Sequence, residues 1–250
     1  MFAAVKPLLG LFEPLAALTH LAGAVCVSLL ARGLLRAARG DPALTRALRV
    51  FLVTAVYLLA MSGLYHSFEG GSPARAFFQR LDHAGIWLLV AGGFAPLQLL
   101  VLPTRLGRLL LLLVWGVALT GATTTLLFHG AVPAWVTVLC YVGFASVGAP
   151  IAVWLVISRG LRWTLPFFLG GVTLSIGALV ELIEEPALVP GYIEYHELVH
   201  LAVLGGLSFH WSFIQRIALA RAAANAPGET CPAPTAFEAA STSTRVASGS

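Results

Sequence analysis

The sequence predicts an all-α, polytopic membrane protein folded as a seven-transmembrane helix bundle. Composition is the first reason, because 58% of the 250 residues are hydrophobic and only 10% are charged, whereas a soluble domain carries about 25% charged residues. The mean hydropathy of +0.88 agrees. The apolar residues also form long continuous runs, whereas the strands of a membrane barrel alternate. These features exclude soluble enzymes and disordered proteins.

Seven stretches are long and apolar enough to span a bilayer, which takes about 20 residues. They cover residues 14–34, 48–67, 82–102, 107–128, 134–157, 163–182 and 196–218. Turn-forming glycines and prolines separate them, as in GGSP before the third span. Glycine pairs inside the spans, such as Gly170 and Gly171, predict close helix contacts. We expect a membrane domain at 1–221 and a disordered Ala/Pro/Ser/Thr-rich tail at 222–250.

The three cysteines predict neither a disulfide framework nor a metal knuckle. Cys26 and Cys140 lie inside apolar runs, and Cys231 lies in the tail. We expect the first two to be buried as small hydrophobic side chains.

Charge is distributed unevenly between the two ends of the predicted bundle. The end formed by connectors 1, 3 and 5 and the C-terminus holds 12 of the 15 Lys and Arg residues. The positive-inside rule then places the C-terminus in the cytoplasm and the N-terminus outside. These basic residues are dispersed over loops, so we expect no binding of nucleic acid. Before the tail, eight of the nine acidic residues lie at the opposite end, together with most of the histidines.

The motif HELVH opens the seventh span with two histidines, His196 and His200. A spacing of four residues places both on one helix face, one turn apart. One helix commonly offers two imidazoles to a metal in this way, and ionisable groups inside membranes usually mark function. Taken alone, the motif also fits a pair of interfacial histidines bonded to their neighbours.

The motif SGLYH ends the second span and contains Ser62 and His66, again four residues apart. In a seven-helix layout this end lies at the same depth as the start of the seventh span, so His66 can join His196 and His200. Three imidazoles and an open position are typical of a catalytic zinc site. The hydroxyl of Ser62 alone also fits a bond to the carbonyl one turn back.

The motif LDHAG places Asp82 and His83 at the start of the third span. A carboxylate entering an apolar helix needs a partner, such as a metal-bound water or the outer nitrogen of a ligating imidazole. A helix N-cap is the alternative. His83 points about 100° away from Asp82 on a helix, so we do not expect it in the same site.

Other polar residues at this end leave more than one interpretation open. Glu13 fits either a contact behind the site or an acid at a helix start. We expect Glu181, Glu184 and Glu185 to form a solvated acidic rim in preference to a calcium site. His210, deep in the last span, is expected to form a hydrogen bond inside the bundle.

Together and in this order, the motifs resemble the progestin and adipoQ receptor family, in its bacterial hemolysin III branch. The resemblance is carried by FEPLAALTHLAG, LYHS, LDHAGIWLLVAGGFAP and the HxxxH pattern, and it spans nearly all of 12–218. It implies seven helices and a zinc ion held by His66, His196 and His200, with Ser62 and Asp82 beside it. It also implies kinship with alkaline ceramidases and other membrane hydrolases.

The sequence departs from that family in three respects. Ala95 stands where the family usually has a threonine before Pro96, and HELVH contains Glu197, which the family does not require. The charge distribution predicts an N-terminus outside, whereas the family's receptors generally have it inside.

The most favoured function is therefore that of a zinc-dependent hydrolase of ceramide-like lipid amides. The protein would be embedded in the lipid bilayer. Asp82 would accept a proton, and Ser62 would donate to an oxyanion or orient its neighbours. A channel, a cytolysin or a receptor with a structural zinc is the main alternative. HELVH also satisfies HExxH, so an intramembrane zinc protease with Glu197 as the base ranks lower.

Overall fold

The computed structural model describes residues 7, 8, 10–101 and 105–224, and this part of the chain folds into eight helices. They are α1 (Pro14–Ala37), α2 (Pro42–Ser67), α3 (Pro73–Val101), α4 (Arg105–Phe128), α5 (Ala134–Ala145), α6 (Gly148–Arg159), α7 (Leu161–Ile183) and α8 (Tyr195–Ala224). Helix α8 continues through 222–224, and the rest of the expected tail, with Cys231, lies outside the described residues.

Most of the helical segments are long and apolar enough to cross a membrane. Six qualify by length and hydropathy: α1, α2, α4, the stretch Ala134–Arg159, α7 and α8. Helix α3 carries Arg75, Arg80 and Asp82 in its first three turns, and its apolar remainder packs along α2 and α4. The all-helical membrane class is thereby confirmed, and α3 supplies the seventh member of the predicted bundle.

The predicted fifth span is divided into two helices, α5 and α6. Pro150 explains the break, because proline lacks the N–H that would bond to the carbonyl of Ser146 and its ring crowds the preceding turn. The chain instead makes a tight turn, in which the N–H of Val147 donates to the carbonyl of Phe144 over 3.3 Å.

Packing between helices brings the start of α1, the end of α2 and the start of α8 together at one end of the bundle. Helix α2 packs most extensively against α3 and α1, while α8 packs against α7, α1 and α3. Leu48, Phe51 and Leu59 of α2 and Phe213 and Ile217 of α8 are almost fully buried in the shared core. Because α1 and α8 both begin where α2 ends, their polar residues meet at one end of the bundle.

One glycine of the predicted pair at 170 and 171 lies at a close helix contact. A Cβ added to Gly170 of α7 would lie 3.1 Å from the carbonyl oxygen of Gly206 in α8 and would overlap the ring of His210. The neighbouring Gly171 faces open space. The absence of a side chain at position 170 therefore allows the close approach of α7 and α8.

Replacing Gly170 with alanine is expected to destabilise the protein by about 1–3 kcal/mol, since overpacking forces the helices apart. Gly171→Ala is the matched control and should stay within about 0.5 kcal/mol of the parent, as is usual for changes without new contacts. Thermal unfolding in detergent measures both. Equal stability of the two variants would contradict the close contact.

The corner between α1 and α2 is fixed by Asp41, which caps α2. Its Oδ1 accepts from the N–H of Leu44 over 2.9 Å, and its Oδ2 accepts from Nε of Arg221 over 2.8 Å. The cap bond and the Arg221 guanidinium lower the pKa of Asp41 against the opposing effect of burial. The carboxylate thus ties the end of α8 to the start of α2.

Asp41→Ala is expected to cost about 1–2 kcal/mol of stability, through the lost cap. Because folding lowers the pKa of Asp41, its contribution is complete above the unfolded value of about 3.9 and is lost as the pH falls through the folded value. Asp41→Asn keeps a capping side chain and should lose this acid-side dependence. Melting temperatures between pH 6 and pH 3 measure the difference, and parallel curves for parent and Asn variant would contradict it.

The expectation of buried cysteines is wrong for both residues that the structure describes. Cys26 and Cys140 are exposed on the outer surface of the helices. A small apolar side chain is compatible with a surface that faces lipid, so an apolar run does not distinguish a core position from a lipid-facing one.

Candidate metal centre

Three histidines from two helices meet where α2 ends and α8 begins. Each of His66, His196 and His200 offers a ring nitrogen within 4.8 Å of the other two. The ring of His66 lies 5.1 Å from that of His196 and 4.3 Å from that of His200, between centroids. A tetrahedral zinc with Zn–N bonds of 2.0–2.1 Å holds its nitrogens about 3.4 Å apart. Nitrogens within 4.8 Å of one another need only a small side-chain adjustment to reach that spacing, so the cluster can hold a metal ion.

His66 is oriented by a carboxylate from the start of α1. Its Nδ1 donates to Oε2 of Glu13, whose Oε1 accepts from Nη2 of Arg75 over 2.5 Å. Burial opposes ionisation of Glu13, but the hydrogen bond from His66 and the charges of His66 and Arg75 outweigh it and lower the pKa of Glu13 to about 2. The ionised acceptor keeps the proton of His66 on Nδ1. Of the two interpretations of Glu13, the contact behind the site is the one observed.

His196 has a carboxylate partner of the same kind, supplied by α7. Its Nδ1 lies 3.0 Å from Oε2 of Glu181, and both side chains are about one-third exposed. The expectation that Glu181 belongs to a solvated rim is therefore wrong, because the packing of α7 on α8 turns it toward the histidine. Glu184 and Glu185, which follow α7, are exposed as expected for such a rim.

His200 contacts a fourth histidine, His20 of α1. Its Nδ1 lies 3.0 and 3.2 Å from the two ring nitrogens of His20, and the centroids are 4.1 Å apart. Nε2 of His20 lies 3.3 Å from the carbonyl oxygen of His200. Both side chains are buried. His20 thus braces the ring and the backbone of His200.

The same nitrogen, Nδ1, is engaged in all three clustered histidines, which leaves Nε2 for another partner. Nε2 of His66 is fully buried and has no hydrogen-bond partner among the described residues. A buried polar atom without a partner is costly. Ligating histidines usually bond an acceptor through the nitrogen that does not bind the metal. The residues present therefore fit a metal ion.

Ser62 and Asp82 lie beside the cluster and bond to each other. Both are buried, at 1% and 7% exposure. The Ser62 hydroxyl is a hydrogen-bond partner of the Asp82 carboxylate, which also lies within electrostatic reach of His196. The alternative role of Asp82 as an N-cap is excluded, since α3 begins at Pro73 and the carboxylate lies inside it.

Glu197, the acid of HELVH, is used to begin α8. Its Oε2 accepts from the backbone N–H of Glu194 over 3.0 Å, as in a capping box. Oε1 of Glu194 in turn accepts from the N–H of Gly191 over 2.6 Å. Glu197 is 1% exposed, so its side chain is buried at the start of α8. A carboxylate held in a cap is poorly placed to be the base of an HExxH protease.

The three remaining histidines of the described bundle are not members of the cluster. The ring of His83 faces His129 at 5.0 Å, in agreement with the expectation that His83 points away from Asp82. His210 bonds to the backbone of Phe167 and stacks on its ring at 5.5 Å, as expected for a histidine inside the bundle.

The fold and this cluster define a polytopic membrane protein with a histidine centre near one end of its bundle. A family model described as "Haemolysin-III related" matches residues 11–211. The chain belongs to this family, which confirms the resemblance inferred from the motifs.

Two bacterial relatives are similar over most of their length. The chain is 31% identical to "Hemolysin-3" of Bacillus cereus over 170 residues, which cover 64% of this chain and 69% of the relative. It is 29% identical to "Hemolysin-3 homolog" of Bacillus subtilis (strain 168) over 161 residues, covering 63% and 70% respectively.

Proposed function

We propose that this protein is a zinc-dependent hydrolase that acts on amide-linked lipids of the ceramide type. The observation that carries the proposal is the convergence of three imidazoles, each braced through Nδ1, beside a buried pair formed by Ser62 and Asp82. A purely structural cluster does not require a further buried carboxylate beside it.

His66, His196 and His200 would hold the ion. Three neutral imidazoles suit zinc and leave one position for a water or a substrate oxygen. When bound, zinc supplies Lewis acidity, which activates water near neutral pH and polarises an amide carbonyl. Glu13, Glu181 and His20 keep the ring nitrogens oriented toward the ion.

Asp82 is the residue we assign to proton transfer. It would accept a proton from the attacking water and return it to the leaving amine. Ser62 donates its hydroxyl to Asp82, so its main role is to fix the carboxylate rather than to bind an oxyanion. Burial of both groups limits competition from bulk water.

A lipid substrate is supported by a cleft that begins one helix turn from His20 and His200. Its volume is about 290 Å³, and it runs between α1 and α8 beside Gly23, Leu204, Leu207 and Trp211. Gly23 lies one turn after His20, and Leu204 lies one turn after His200. An acyl chain in this cleft would place a polar linkage at the histidines.

A second candidate function is membrane lysis or channel formation, with a structural metal. The name of the two relatives, hemolysin, favours it. The position of the histidine and acid cluster at one end of the bundle disfavours a polar path through the full thickness. Metal-independent leakage of a dye from liposomes would support this alternative.

For sidedness we propose the orientation that the charges indicate, with the C-terminus cytoplasmic in the cell membrane and the histidine cluster near the opposite face. Labelling of single cysteines introduced into the connectors of intact cells tests it.

The experiment for the hydrolase is turnover of a fluorescent ceramide by the purified protein. We expect fatty acid release that a chelator abolishes and added zinc restores. Absence of release from ceramide, alongside stoichiometric zinc and inert liposomes, would favour a structural or sensory role.

A further inference from the structure

A basic cavity lies at the other end of α1 and α2, far from the histidines. Its volume is about 460 Å³, and it is lined by Arg32, Leu35, Arg36, Arg39, Thr45 and Arg49. Seventeen residues of α2 separate Arg49 from His66, which is about 25 Å of helix at 1.5 Å per residue. The cavity is therefore a separate feature from the metal centre.

The positive charge in this cavity is not compensated by neighbouring acids. Among the described residues, none of its four arginines forms an ion pair. Asp41, the acid nearest in sequence, is buried and committed to Leu44 and Arg221. All four arginines are exposed. All four line one concavity, and guanidinium groups suit an anion with several oxygens.

Exposed apolar side chains continue from the cavity along both helices. Leu29 and Val25 precede Arg32 by three and seven residues on α1, so the three share a helix face. Val53 follows Arg49 by four residues on α2. Leu29 and Val53 are 69% and 68% exposed. The stripe suits acyl chains, and the arginines lie where a headgroup phosphate would be.

We propose that this cavity binds the phosphate group of an anionic phospholipid, with the acyl chains along the apolar stripe. Basic pockets between membrane helices bind such headgroups, and each arginine near the surface contributes about a fivefold gain in affinity. A soluble phosphate would use the same arginines but would gain nothing from Leu29 and Val53. A phospholipid is therefore the ligand that fits both the arginine-lined cavity and the apolar stripe.

The experiment titrates full-length protein in neutral detergent with phosphatidylglycerol and counts bound lipid by native mass spectrometry. Arg36→Gln/Arg49→Gln should weaken binding about 25-fold, from two fivefold losses. Arg105→Gln/Arg108→Gln is the matched control, because both residues are exposed at the same end of the bundle, outside the cavity. The control should change affinity less than about twofold.

Equal weakening in the two double variants would overturn the proposal, since it would mean a general attraction to the basic end. If inorganic phosphate displaces the lipid at millimolar concentration and binds equally well alone, the assignment to a lipid is overturned. Should the double variant fail to fold, Arg39→Gln alone is expected to lose about fivefold. An unchanged affinity in that variant would also count against the cavity.

Discussion

Replacing His200 with alanine is expected to reduce bound metal from about one equivalent per chain to less than about a tenth, because only two imidazoles would remain. His200 is buried, is one of the three clustered histidines and is braced by His20. The loss should also lower the melting temperature of metal-loaded protein toward that of chelated parent, since bound metal stabilises only the folded chain. Elemental analysis of purified protein measures the content.

The control for that prediction is His129→Ala, which removes a histidine outside the cluster and should keep the metal. Glu181→Gln tests the outer partner, and it should weaken metal affinity about 10–100-fold without abolishing binding. A His200→Ala variant that retains a full equivalent would contradict the three-histidine site.

Asp82→Asn is expected to lower ceramide hydrolysis about 10²–10⁴-fold while leaving the metal content unchanged. The amide keeps the size of the carboxylate but cannot accept a proton at neutral pH. Ser62→Ala should have a smaller effect, because it removes only the group that orients Asp82. Initial rates on labelled ceramide, measured at matched zinc content, give both values.

Two outcomes would contradict the role of Asp82. Equal rates in parent and variant would remove this residue from the chemistry. A rate loss that follows a loss of zinc would instead make Asp82 part of the support of the metal site. Asp82→Ala serves as the second variant, and it should match Asp82→Asn if proton transfer is what is lost.

The positions of the three clustered histidines followed from the sequence, because their spacing and their place at span ends depend on local periodicity. Four-residue spacing put His196 and His200 on one face, and antiparallel spans put His66 at the same depth. The side chains that contact these histidines could not be predicted from the sequence. Glu181 and His20 reach the cluster only through the packing of α7 and α1 on α8, which no periodicity specifies.

The predicted helix boundaries also differ from the observed ones, and each difference has a local cause. Helix α3 begins at Pro73, two turns before its apolar run, so hydropathy placed Asp82 too near a helix end. Helix α8 begins at Tyr195, which makes Glu197 the third residue of the helix and directs it to the cap. Pro150, the third residue of α6, is a sequence signal for the break after Ala145.

X-ray absorption at the zinc edge of purified, full-length protein tests most directly whether His66, His196 and His200 bind one ion. We expect at least about half an equivalent of zinc, with three nitrogen ligands near 2.0 Å and an oxygen in the remaining position. A first shell containing sulfur, or zinc below half an equivalent after purification without chelators, would contradict the site and remove the basis for the hydrolase.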